Sequence, residues 1–215
     1  MENSKKSSYI LKDAAILFAI TLIAALLLGI VNELTAPIIR EREAKIKAEA
    51  YQAVYPDAAM VDTEDETLKN KVEISTDILK AAGLEGVVIE EAGVAKAVDG
   101  STIGYVMTVT TSNGYNGEIS LTMGYTTEKS ITGIEIIKIN ETPTLGMKAK
   151  EESFQGQFAG KTTEWLNVTK TGATKDDEID AISSATITTN AVTGAVNAGI
   201  TFALDCLKDG IGGAK

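Results

Sequence analysis

Residues 14–31 read AAILFAITLIAALLLGIV, a run of 18 positions without a charged side chain. In a helix this run rises about 1.5 Å per residue and spans roughly 27 Å, close to the hydrocarbon thickness of a bilayer. A core helix of that length would carry a polar stripe, and only Thr21 and Gly29 interrupt this one. A cleaved signal peptide would have a shorter apolar region followed by a small-residue cleavage site. Here the run continues into NELTAPIIRERE. The reading is therefore an uncleaved transmembrane helix over residues 14–34, preceded by a short N-terminus of residues 1–13. Lys5, Lys6 and Lys12 precede it; Arg40, Arg42, Lys45 and Lys47 follow at a distance, interleaved with Glu41, Glu43 and Glu49. The flush Lys12 predicts a cytoplasmic N-terminus and an extracytoplasmic main domain, in a single-pass cell-membrane protein surrounded by lipid.

Residues 35–56 read as a stalk helix. Pro37 suits the start of a new helical stretch. Ile39, Ile46, Ala50, Ala53 and Val54 follow one face, and Glu41–Lys45 and Glu43–Lys47 pair at i,i+4 on the rest. Tyr55-Pro56-Asp57 ends it. The acidic stretch 61–71 reads as exposed, and 77–82 as a short helix stopped by Gly83. Strand-like runs cover 87–91, 94–98, 103–110, 118–125 and 131–139, with a turn marked by Asn113-Gly114 and Asn116-Gly117. Residues 151–158 read as a short helix and 187–207 as a long one ended by Gly210. The expected fold class is α+β: a transmembrane and stalk helix, then one domain over 57–215 with an antiparallel-rich sheet and a long C-terminal helix.

Composition narrows the chemistry. The formal net charge of −10 over 215 residues argues against nucleic acid as a partner, because phosphate contacts need a basic face. With no histidine and one cysteine, Cys206, the chain cannot build an internal disulfide, a Cys/His metal site or a histidine triad. Carboxylates, hydroxyls, lysines or a borrowed cofactor remain. Trp165 reads as core or domain-edge packing, Cys206 as a small buried apolar residue, and Lys148 and Lys161 as surface lysines able to offset a phosphate.

The segment DAISSATITTNAVTGAV, residues 180–196, crowds hydroxyls at the start of the last helix. Helix starts favour Ser and Thr as caps, and on composition alone that is the stronger reading. Capping accounts for one such residue, or two. It leaves the small run Ser183-Ser184-Ala185 beside Thr186, which admits a bulky group close to the backbone. A helix start with free N–H groups also favours an anion such as a phosphate.

Asp180-Ala181-Ile182-Ser183-Ser184-Ala185-Thr186 resembles the D-x-x-(S/T)-G-A-T flavinylation motif. That motif belongs to the FMN-binding domain family shared by the G subunit of the Rnf electron-transport complex and the C subunit of the sodium-pumping NADH:quinone reductase. Ser184 stands at the family's glycine. Glu141-Thr142-Pro143-Thr144-Leu145-Gly146 is similar to the family's E-T-P-G-L-G loop, with Thr144 at a second glycine. Residues 154–161, FQGQFAGK, resemble F-x-x-Q-F-x-G-K, and GYNGEI at 114–119 resembles a family hairpin. The NELTAPI boundary resembles the start of Rnf G subunits.

The resemblance implies FMN held by a phosphoester to Thr186, placed there by a flavin transferase. Asp180, Ser183, Ser184, Ala185 and Thr188 would surround it, and Glu141, Thr142, Leu145, Gly146 and Lys148 would face it from the other loop. It implies electron transfer inside a membrane-bound, ion-translocating ferredoxin:NAD oxidoreductase complex, with other membrane subunits as partners and no catalysis by this chain alone. Two alternatives stand beside it: a sensory module that binds FMN, and a pilin-like structural protein, which would need a processing glycine where Lys12-Asp13 stands.

Overall fold

The structure, a computed structural model, describes residues 2–211, with side chains from Lys12 onward; the side chains of Lys5 and Lys6, used above for topology, lie outside the described residues. The chain divides into two compact units, Met1–Ile46 and Lys47–Lys215.

The first unit consists of one helix. Helix α1 runs Glu2–Val54 without interruption and contains Pro37. The second helical start expected at Pro37 is therefore absent. Proline removes one intrahelical N–H and crowds the carbonyl four residues back, but helix formers on both sides carry the ladder past that single lost bond. Among the described residues this is the one helix long and apolar enough to cross a membrane, with a mean hydropathy of 2.9 over its most apolar window. Leu17, Phe18 and Leu28 are 68%, 67% and 71% exposed. Thr21 donates its hydroxyl to the Phe18 carbonyl at 3.0 Å, which satisfies the one hydroxyl that the apolar run contains.

The second unit is built on a five-stranded antiparallel sheet in simple chain order, β1 (Met60–Asp62), β2 (Val87–Lys96), β3 (Thr102–Gly114), β4 (Gly117–Thr126) and β5 (Ile131–Ile139). Alternation sorts its faces. Tyr105, Met107, Val109, Ile119, Leu121, Met123 and Tyr125 point into the core, where helix α4 (Thr186–Asp209) lies across β3 and β4. Helix α2 (Glu66–Ala81) packs on β2 and α4. A 3₁₀ turn, Gly146–Lys150, a short helix α3, Glu152–Gln155, and a parallel pair β6 (Asn167–Thr169) and β7 (Glu178–Asp180) complete the domain.

Several expectations change. The helix expected over 77–82 runs Glu66–Ala81, and the one expected over 151–158 is confined to Glu152–Gln155. The runs 87–91 and 94–98 are one strand, kinked by an irregularity between Ile89 and Glu91, where the Glu90-Glu91 pair broke the alternation that marks a strand. The acidic stretch 61–71, expected to be exposed, holds the end of β1 and the start of α2. Asp65 caps α2 by accepting the Leu68 N–H at 2.9 Å, and Glu66, Lys69, Glu73, Asp77 and Lys80 face solvent while Leu68 and Leu79 are buried.

The other face of the sheet is partly covered by residues 47–55. Tyr51, Val54 and Tyr55 cluster with Ala95 and Val106, and Lys47 pairs with Glu91 at 2.9 Å. Two glycines make room. A Cβ on Gly104 would collide with the Tyr125 carbonyl and lie 2.8 Å from the Tyr55 hydroxyl, and one on Gly124 would meet Thr132 and the Val54 carbonyl. Tyr55 fills the notch and donates to the Ile103 carbonyl at 2.7 Å. Gly104→Ala forces backbone apart, so it should cost about 1–3 kcal/mol, typical of overpacking. Chemical denaturation of the two proteins checks this, and equal midpoints would refute the notch.

Candidate functional site

The site begins where β5 ends. Glu141 is only 5% exposed, and its Oε1 accepts the N–H of Tyr115 at 2.7 Å and of Asn116 at 3.4 Å. It thereby ties the loop after β5 to the tip of the β3–β4 hairpin. The Thr142 carbonyl accepts the N–H groups of Leu145 and Met147 at 3.2 and 3.3 Å, which curls the loop into the 3₁₀ turn. Gly146 closes the gap to α4: a Cβ there would lie 2.7 Å from Thr188 Oγ1 and 2.8 Å from Glu141 Cβ. The loop therefore abuts the first turn of α4 by backbone, which only glycine permits.

The segment leading into α4 is held from behind. The Gln157 side-chain amide grips the Asp180 backbone, accepting its N–H at 2.7 Å and donating to its carbonyl at 3.4 Å. Glu178 accepts the N–H groups of Thr174 and Lys175 at 2.9 and 3.3 Å. The Thr174 N–H foremost, then the Lys175 ammonium, hold the Glu178 carboxyl down at about 2. Thr189 Oγ1 accepts the Ile182 N–H and donates to the Ala185 carbonyl, both at 3.0 Å. Thr189 thus spends its hydroxyl on the loop.

Capping does not account for the remaining hydroxyls. The N-cap of α4 is Ala185, and no side chain caps the helix. The start of α4 keeps its positive dipole end, with Thr186 only partly covered.

Between the two loops lies a cavity of about 510 Å³. Glu141, Thr142, Leu145 and Gly146 form one wall. Ser184, Ala185, Thr186 and Thr188 form the other. Eight of the residues singled out from sequence thus meet in one place. Asp180, Ser183 and Lys148 do not join them; they line a separate cavity of about 200 Å³ shared with Gln157 and Phe154. Sequence reasoning missed two wall residues, Tyr115 and Ile187. They are 68% and 52% exposed and make an apolar rim with Leu145. Their signal was available: an aromatic side chain at a hairpin tip, and a large aliphatic residue beside Thr186.

Other candidates stand apart from both cavities. Lys161 donates to the Asp176 carbonyl at 2.8 Å. Trp165 is 41% exposed, so it is a domain-edge residue and not part of the core. Glu90 and Glu91 diverge, one accepting from Thr110 at 2.6 Å and the other pairing with Lys47.

Ser184 and Thr144, the two residues standing at glycines of the family pattern, have φ of 64° and 63°. Both positions require the left-handed backbone that glycine adopts without penalty. The turns persist here with side chains at those positions.

The sequence matches two family profiles: the FMN-binding domain over residues 114–201, and the RnfG N-terminal region over residues 1–54. It is 37% identical over 193 residues to the G subunit of the Na(+)-translocating ferredoxin:NAD(+) oxidoreductase complex of Acetobacterium woodii, covering 89% of this chain and 90% of that one. The chain belongs to the family of G subunits of ion-translocating oxidoreductase complexes. Another member of this family, from Methanosarcina acetivorans, is 31% identical over 94% of this chain and 97% of its own length. The crystal structure of the C subunit of Na(+)-translocating NADH-quinone reductase from Parabacteroides distasonis is 26% identical and superposes with a TM-score of 0.43 over 60% of this chain and 68% of that one. Membership of the G-subunit family sets aside the pilin-like alternative. The FMN-binding profile contains both walls of the larger cavity.

For this member of the G-subunit family, Ser184→Gly and Thr144→Gly should each stabilise the fold. A left-handed non-glycine residue costs about 1–2 kcal/mol, and glycine's extra unfolded-state freedom takes back part of that, about 0.4–1 kcal/mol. The net gain should be larger at the β-branched Thr144. Urea denaturation of the single variants reads it, and a loss of stability in both would contradict the backbone assignment.

Proposed function

We propose that this chain is the FMN-bearing electron relay of a membrane-bound, ion-translocating ferredoxin:NAD(+) oxidoreductase complex, with FMN attached to Thr186 through a phosphoester. The observation that carries the reading is the position of Thr186: at an uncapped helix start, on the wall of a ligand-sized cavity, opposite the loop of Glu141–Gly146.

The residues fit the cofactor. A volume of about 510 Å³ lies within the range of small-molecule sites, roughly 300–1,000 Å³. The dipole and free N–H groups at the start of α4 favour a phosphate next to the Thr186 hydroxyl. Tyr115, Leu145 and Ile187 supply apolar surface for a flat ring. FMN, when bound, supplies one- and two-electron transfer. The chain's own residues position it and shape its surroundings. Thr186 is the attachment point, Ser184 and Ala185 keep the approach to it small, and Thr188 and Gly146 close the floor between the two walls. Asp180, Ser183 and Lys148 line the second cavity and not this one.

The ferredoxin:NAD(+) chemistry comes from the name of the Acetobacterium woodii relative. In this reading residues 14–34 cross the membrane in contact with lipid, residues 1–13 lie in the cytoplasm, and the domain over 57–215 stands outside, joined by the stalk over 35–56. There a covalent bond keeps the flavin from diffusing away. The electron partners are other membrane subunits of the complex, and a flavin transferase performs the attachment.

The test is a denaturing gel viewed under ultraviolet light, with protein co-expressed with a flavin transferase. The wild-type band should fluoresce after denaturation, and Thr186→Val should be dark. A dark wild-type band or a bright variant band would sink the assignment.

A further inference from the structure

Glu141 is the only charged side chain among the residues lining the larger cavity. It is 5% exposed, and among the described residues no lysine or arginine lies within ion-pair distance of it. Its Oε1 is occupied by the Tyr115 and Asn116 N–H groups. Its Oε2 lies beside Gly146, 2.9 Å from where a Cβ would stand. The clamp on the hairpin requires an acceptor oxygen, which a neutral amide also has. A buried carboxylate in that role brings something the clamp does not need, a full negative charge. Two N–H dipoles solvate that charge without cancelling it, and low dielectric lets it act on anything in the cavity.

The two walls therefore differ in sign. The start of α4 presents the positive end of a helix dipole, and Glu141 faces it with a negative charge. An anionic phosphate belongs at the first wall. A group on the other side that gains electrons works against the second.

We propose that Glu141 is a positioning residue that sets the reduction potential of the flavin, its carboxylate placing an uncompensated negative charge on the cavity wall and lowering that potential. This rests on the reading of the cavity as the FMN site. Reduction adds electron density to the ring, so a fixed negative neighbour disfavours the reduced form. The double N–H clamp keeps the charge at one place, and the hairpin tip carries Tyr115 to the rim on the same anchor.

Spectroelectrochemical titration of the full-length, flavin-loaded protein in detergent tests this on wild type, Glu141→Gln and Glu141→Asp. Glu141→Gln keeps the acceptor oxygen and removes the charge; it should stay loaded, keep its melting temperature within a few degrees and shift its midpoint potential in the positive direction. Glu141→Asp keeps the charge on a shorter arm and should remain closer to wild type in potential than Glu141→Gln, even where loading falls. An unchanged potential in a loaded Glu141→Gln overturns the proposal, as does an aspartate variant displaced as far as the glutamine one. Loss of flavin from a folded Glu141→Gln overturns it too, because the carboxylate would then serve attachment. A wild-type protein without flavin overturns the reading of the site itself, which separates the two failures.

Discussion

The seating of helix α4 on the sheet fixes where the site can be. Ala191, Ala195, Ala198 and Gly199 are small and face the sheet side, and a Cβ on Gly199 would collide with the Met123 sulfur and stand 3.2 Å from that of Met107. The helix backbone therefore rests directly on two flexible thioethers, which mould to it. Its far end is fastened as well. Gly210 ends it in the left-handed conformation, Lys71 of α2 pairs with both Asp205 and Asp209, and Tyr105 donates to the Ile211 carbonyl at 2.9 Å. With its length clamped this way, the first turn of α4 has one position relative to the loop after β5, and the cavity is the space left between them.

Much of this was legible in the sequence where a single period dominates. The alternation in β3 and β4 and the apolar run of α4 gave their elements within a few residues, because one face of each is buried against the other. Legibility failed where local signals conflict with packing. Pro37 reads as a helix start, yet a long helical context absorbs one missing bond. Glu90-Glu91 hides an irregular strand, and an acidic run hides α2, whose sparse apolar residues are spaced for one face only. The walls of the site were legible through residue patterns; their pairing through Glu141 was not, since nothing in a sequence tells a carboxylate which N–H groups it will meet.

Resemblance to a family pattern also says less about contact than it does about fold. The stretch Phe154–Lys161 touches the larger cavity nowhere. Gln155 accepts the Ile136 N–H at 2.8 Å and so holds β5, Gln157 holds the Asp180 backbone, and Phe154 and Phe158 meet edge to face at 5.5 Å within the core. The segment is a bracket between β5 and the stretch that leads into α4. Asn197 extends the same device, gripping the Leu166 backbone through both its amide atoms at 2.8 and 3.0 Å.

Cys206 has a consequence of another kind. It is fully buried on α4, and burial pushes its thiol up to about 12. A thiol so far from its thiolate neither attacks disulfides nor yields readily to oxidants. It is also the only cysteine in the chain. The folded domain is thereby indifferent to the redox poise of its surroundings: it requires no oxidative folding machinery, forms no cross-links with neighbours, and offers passing electrons no sulfur couple to leak into.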